Sequence, residues 1–251
     1  MKILPIIAAV IIIMALGTAT YLLMINQNSP TSALMNAKKL VTKNVTVTYE
    51  ISILPTLIMG NNAPSIPGIP FMMGWINGLI TISRTPLMDA TVINGTLYFR
   101  HFGIVGIKLN AALWRHDNSL CYAYKLGFMI PQTVTNCVPY TNITSNFMTI
   151  LNESRYVGKG SWDGETTYCF TASVTLMPTQ ASSWNVPIIL NVTKMCLLDN
   201  GIPANITIYV YPAQYSGIAN FIINANFTLV SYSFTFNQYE FTQITNGLLP
   251  G

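Results

Sequence analysis

Two carboxylates, Asp163 and Glu165, sit one residue apart in SWDGETTYCF, residues 161–170, with the Cys169 thiol four residues beyond. A carboxylate pair can cut a glycosidic bond as acid and base, provided the groups stand about 5–10 Å apart across the sugar. A thiol can act as a nucleophile when a base lies within reach. The same residues also fit a turn. Asp-Gly between strand-forming residues is a two-residue hairpin signal, because both central positions need φ > 0. The turn is the stronger reading. Glu165 and Thr166 then begin the return strand, and Tyr168 and Cys169 point to opposite faces.

The rest of the chain does little to assemble a reaction. His101 and His116 are the only histidines; one follows Arg100 in a predicted strand and the other precedes Asp117 at a strand end. There is no G-x-S-x-G, no P-loop, no G-x-G-x-x-G and no H-E-x-x-H. The expectation is a non-enzymatic protein with no cofactor and no metal. Basic residues are scattered, with only Lys38 and Lys39 adjacent and Lys43 close by, so nucleic-acid binding is not expected.

Cys121, Cys137, Cys169 and Cys196 allow three pairings, and none forms a C-x-x-C. Local pairing, Cys121–Cys137 and Cys169–Cys196, is the simplest, because each pair flanks neighbouring predicted strands. Zinc would want tighter spacing and histidine partners.

Charged residues make up 8% of the chain and hydrophobic ones 51%, against about 25% charged in an ordinary soluble domain. Something other than charge must solvate the surface. Asn-X-Ser/Thr sequons at Asn44, Asn94, Asn142, Asn152, Asn191, Asn205 and Asn226 point to a glycan coat. The plainer alternative is that several go unused and some are strand residues. Residues 4–25 carry no charge. A membrane helix needs about 20 apolar residues, and the apolar part of a cleaved signal is about 7–15. The length favours an uncleaved anchor at 1–25, with Lys2 placing the body outside. A cleaved signal with Gly17–Thr20 as its small-residue region is the alternative; both export the chain.

The elements that must position these residues follow in order. Residues 26–32 read as a linker and 33–251 as one β-rich extracytoplasmic domain. SALMNAKKLV has helical spacing behind a Ser, and NVTVTYEISI alternates as a strand. Residues 54–79 hold four Pro and four Gly among apolar residues, so no long regular element is expected there. This segment reads as a lid over the core, or as a flap at an apolar ligand mouth using Ile69, Phe71, Met72, Met73 and Trp75. Successive strands follow, with Asn94-Gly95 read as a hairpin turn, a short helix over 145–154, Asp199-Asn200-Gly201 as a tight turn, and YEFTQIT as a last strand.

YVGKGSWDGETTYCF, with KMCLLDNGIPANITIYV after it, resembles the second half of the LolA/LprG-type lipoprotein-carrier superfamily. The carrying positions are Gly158, Asp163-Gly164, Thr167-Tyr168, Asp199, Gly201 and Pro203. ALMNAKKLVTKNVTVTYEISI is similar to the family's first helix and first strand. The chain departs from it in having MCLL before the second turn and no lipobox Cys. The resemblance implies an α+β fold, a curved antiparallel half-barrel with two or more short helices, whose cavity binds lipid or another apolar ligand without catalysis. The isoleucine-rich anchor, sequon density and low charge are similar to archaeal cell-surface proteins. The expected partners are the membrane, through residues 4–25, an apolar ligand, and other surface proteins. The alternative is a structural surface or filament subunit, or an accessory subunit of a membrane complex.

Overall fold

The computed structural model describes residues 29–58, 74–86, 88–99, 105–116, 119–128, 130–139, 144–176, 187–213, 220–246 and 249. Among the described residues, eleven strands form one open antiparallel sheet. In chain order they are β1 Val45–Ile58, β2 Gly74–Arg84, β3 Asp89–Phe99, β4 Val105–His116, β5 Ser119–Leu126, β6 Ile130–Pro139, β7 Arg155–Trp162, β8 Glu165–Leu176, β9 Ile188–Leu197, β10 Pro203–Pro212 and β11 Asn220–Ser233. Three helices accompany them: α1 Pro30–Leu40, α2 Thr144–Asn152 and α3 Gln238–Thr245. Across the sheet the order is β6-β5-β4-β3-β2-β1-β11-β10-β9-β8-β7. The first and last strands therefore meet in the middle, and β6 and β7 form the edges. The anchor segment lies outside the described residues, among which no helix is long and apolar enough to cross a membrane.

Side-chain alternation sets the faces. In β1, Val45, Val47, Tyr49 and Ile51 are buried, while on the alternate positions Thr46 and Thr48 are half-buried and Glu50 and Ser52 exposed. Following the strand register outward from β1, one face carries Phe227, Ile206, Met195 and Phe170 in a single row. Helices α1 and α2 lie on that face. Ala33, Ala37 and Leu151 pack with Tyr168, Phe170, Val192, Met195 and Leu197 in one buried cluster. Helix α3 lies on the opposite face at the other flank, where Ile244 packs with Ala90, Val92, Ala112, Trp114, Cys121 and Ala123. The helices thus cover opposite faces of opposite flanks.

Four local expectations change. The first helix starts at Pro30, inside the predicted linker, because the Ser29 hydroxyl caps it by accepting from the Ser32 N–H at 3.1 Å. Pro is at home there, since its missing N–H would go unpaired anyway. Asn94-Gly95 is no turn. It runs through the middle of β3, with Gly95 directly opposite Gly78 of β2. The segment 54–79 contains regular structure at both ends, because β1 continues to Ile58 and β2 begins at Gly74. YEFTQIT is helix α3. Asn237 Oδ1 accepts from the Glu240 N–H at 3.1 Å and Asn237 Nδ2 donates to Glu240 Oε2 at 3.0 Å, so the N-cap side chain holds both the amide and the carboxylate of Glu240. Burial of Ile244 against β4 then fixes the helix.

Other expectations hold. Both local disulfides are present, Cys121–Cys137 and Cys169–Cys196, each joining residues directly opposite on adjacent strands. Closing loops of this length restricts the unfolded chain by about 3 kcal/mol each. Asp163 and Gly164 form the hairpin tip with φ 46° and 80°, and Trp162 pairs with Glu165 across it. That tip folds back over the sheet. Three strands separate β7 from β11, yet the Trp162 indole N–H donates to the Leu229 carbonyl at 2.9 Å.

The β9–β10 turn docks α1. The Leu198 N–H donates to the Ile202 carbonyl at 2.9 Å, and the Asn36 side-chain amide donates to the Asp199 carbonyl at 2.7 Å. Asp199 Oδ1 is buried without a hydrogen-bond partner, and burial raises the Asp199 pKa above the ordinary carboxylate value. A carboxyl with a raised folded pKa holds its proton more tightly in the native than in the unfolded chain. Its contribution to stability is complete below the unfolded pKa and is lost as pH rises through the folded one. Asp199→Asn, which mimics the protonated form, is expected to raise the melting temperature at neutral pH. The gain should shrink as pH falls toward the ordinary carboxylate range. Thermal melts of both chains across that window check this; a gain independent of pH would contradict it.

Candidate ligand-binding face

On the α1 side of β1–β5 the register stacks apolar residues in rows. One row runs Val47, Ile82, Thr91, Leu113, Tyr122; the next runs Tyr49, Ile80, Ile93, Ala111, Tyr124. A third runs Ile51, Gly78, Gly95, Leu109, Leu126, and a fourth Ile53, Ile76, Leu97, Ile107. Val47, Tyr49, Ile51 and Ile80 are buried, Ile51 at 1% exposure, and so is Ile107 at the far end of the fourth row. Further out, Ile93, Leu109, Ala111, Leu113, Tyr122 and Tyr124 are half-buried. Among the described residues no helix lies over them, because α3 takes the other side of the same strands. The Tyr122 and Tyr124 rings stack 6.5 Å apart, and the Tyr122 hydroxyl accepts from the Asn136 side-chain amide at 3.2 Å.

Gly78 and Gly95 leave a dip in the middle of these rows. The two strands approach so closely that a Cβ on Gly78 would run into the Asn94 carbonyl oxygen and the Gly95 Cα. Opposed glycines of this kind let a sheet bend sharply.

One end of the face is charged. Asp89 Oδ1 lies 3.0 Å from Arg84 Nε and Asp89 Oδ2 lies 3.6 Å from Arg115 Nε. Arg115 also donates from a terminal guanidinium nitrogen to the Pro86 carbonyl at 3.1 Å. Sequence reasoning missed the trio. Arg84 and Arg115 are distant in the chain and match no motif; only the β2–β3–β4 register unites them.

The other face is polar over β8–β11, β1 and β2. Thr207 donates to Asn226 Oδ1 at 2.9 Å, and hydroxyl pairs link Thr48 to Thr81 and Thr46 to Ser83. Asn191, Asn205 and Asn226 sit half-buried in this ladder, whereas Asn44, Asn94 and Asn152 are exposed. A polar groove of about 290 Å³ is lined by Glu153, Arg155, Thr171, Ser173 and Asn191. It offers hydrogen bonds rather than apolar contact.

The residues expected at a ligand mouth divide. Ile69, Phe71, Met72 and Met73 lie outside the described residues, as do Asn142 and His101. Trp75 is in β2, stacked on Tyr98 at 5.0 Å, and faces away from the apolar rows. Asp163 is in the hairpin turn and Glu165 begins the strand after it. Among the described residues no group of three His, Cys, Asp or Glu side chains could hold a metal.

No family model matches the chain, and no curated protein matches it. Among solved structures the chain is similar to one described as a β-barrel-like protein of a domain of unknown function, DUF1849, from Brucella abortus. The identity is 10%, the match covers 76% of this chain and 97% of that one, and the TM-score is 0.21, too slight to bear on function.

Proposed function

We propose that the chain is a membrane-tethered, N-glycosylated, extracytoplasmic protein. In this reading it holds a lipid or other apolar ligand against the α1-side face of β2–β5, in the manner of a half-barrel and without catalysis. The observation that carries it is the set of apolar rows that, among the described residues, no helix covers. A half-buried apolar face with a polar rim is the usual character of a site for an apolar ligand. The Gly78–Gly95 approach and the folded-back Trp162 tip support curvature. The two disulfides support an oxidising compartment, and Asn44, Asn94 and Asn152 have the exposure a glycan needs. The open edge at β6 is what favours the second reading, a structural surface subunit.

The test compares the full chain with Ala111→Trp, which places an indole between Ile93 and Tyr124. Both are purified in mild detergent, and organic extracts are analysed for co-purifying acyl lipid. We expect severalfold less lipid in the variant at an unchanged melting temperature, with glycan on Asn44, Asn94 and Asn152 in the intact mass. Absence of lipid from the wild type, or equal amounts in both chains, would overturn the ligand.

A further inference from the structure

The two edges of the sheet are built differently. Edge strand β7 carries Arg155 and Lys159, and its pairing with β8 is interrupted between Tyr156 and Gly158. Charges and irregularities of this kind keep an edge from pairing with another chain. Edge strand β6, IPQTVTNCVP, has no charge at all, and residues 132–137 are exposed throughout. The Cys121–Cys137 disulfide staples it to β5, so it stays in place as a template.

The free backbone groups of β6 can be assigned. Cys121 and Cys137 stand opposite each other with Cα atoms 4.0 Å apart, the spacing of a pair that exchanges no ladder hydrogen bonds. The Cys137 N–H therefore points away from β5, and it is taken by the Asn136 side-chain oxygen at 2.8 Å. Thr135, two residues earlier, presents its N–H and carbonyl to the open side. Between Val134 and Ile130 the register slips, with Thr133 in the irregular stretch of β6. Pro131 has no N–H. Thr135 thus offers the assigned open donor beside Val134, flanked by Pro131 and Cys137, which offer none.

We propose that β6 pairs with β6 of a second copy of this chain, antiparallel about a two-fold axis at Val134. Thr133 then faces Thr135 of the second copy and each exchanges its N–H and carbonyl. An exposed, uncharged strand meets its twin without repulsion. The charged, interrupted β7 stays unpaired, so the assembly closes at two copies instead of growing into a fibre.

The test uses the full chain in mild detergent. Val134→Cys brings two thiols face to face at the axis and is expected to give a disulfide-linked dimer on non-reducing gels, several times more than Glu153→Cys. Thr135→Pro deletes one outward donor without touching the ladder to β5. It is expected to convert a concentration-dependent dimer, followed by light scattering, to monomer at an unchanged melting temperature. Thr135→Lys, which keeps the N–H but adds like charges at the axis, should do the same and serves if the proline variant melts early. A wild type monomeric at every concentration, a dimer indifferent to both Thr135 variants, or an extract crosslinked to an unrelated protein and not to itself would overturn the proposal.

Discussion

Gly201→Ala is expected to cost about 4 kcal/mol and to lower the melting temperature by about 10 °C. Gly201 has φ 88°, and a side chain in the left-handed region costs about 1–2 kcal/mol. The larger part is steric. A Cβ there would run into backbone atoms of Asn36 and Ala37, the Ala37 Cα standing only 2.7 Å away. Backbone on a docked helix cannot rotate aside as a side chain can, so the turn or α1 must shift. Either movement breaks the bond from Asn36 to the Asp199 carbonyl and disturbs the seats of Ala33 and Ala37, both fully buried. Gly164→Ala is the control: its φ is 80° but nothing lies within 4 Å of its Cβ, so only about 1–2 kcal/mol should be lost. Denaturant melts of both variants measure the gap. Equal losses would mean that contact with α1 contributes nothing.

Gly78→Ala is expected to destabilise by about 3 kcal/mol, as overpacking against an unyielding wall does. The wall is the Asn94 carbonyl and the Gly95 Cα on the neighbouring strand. Relief requires β2 and β3 to part, which weakens the ladder in the middle of the candidate face. Gly95→Ala should be milder, because its nearest obstacle, the Asn77 carbonyl oxygen, is 2.7 Å away. The expected order of melting temperatures is wild type, then Gly95→Ala, then Gly78→Ala. Lipid carried by either variant should fall as well if the bend shapes the site. The reverse order would show that the strands do not approach as described.

What could be read without coordinates was what short range decides. Alternation in NVTVTYEISI predicted β1 because a strand buried on one face repeats every two residues. The Asp163-Gly164 tip was legible because φ > 0 is a local demand met by local residue types. The two disulfides were legible because neighbouring strands bring neighbouring cysteines together. Asn94-Gly95 misled for the same reason. It carries the local signature of a hairpin, yet the register set by β2 and β4 draws it straight and puts Gly95 on Gly78. YEFTQIT alternates like a strand, but the Asn237–Glu240 cap and the seat for Ile244 cost the strand nothing to lose and the helix much to lack.

The sequence by itself determined an antiparallel β-rich chain with two local crosslinks, one Asp-Gly hairpin, and too few clustered acids or histidines to suggest a catalyst. Tertiary structure alone decided which faces the helices cover, that Arg84, Asp89 and Arg115 share a rim, and that one edge is guarded while the other is open. Strand pairing relates residues far apart in the chain, and its register depends on every neighbouring strand at once. A face, a rim and an edge are properties of that pairing, and no single stretch of sequence contains them.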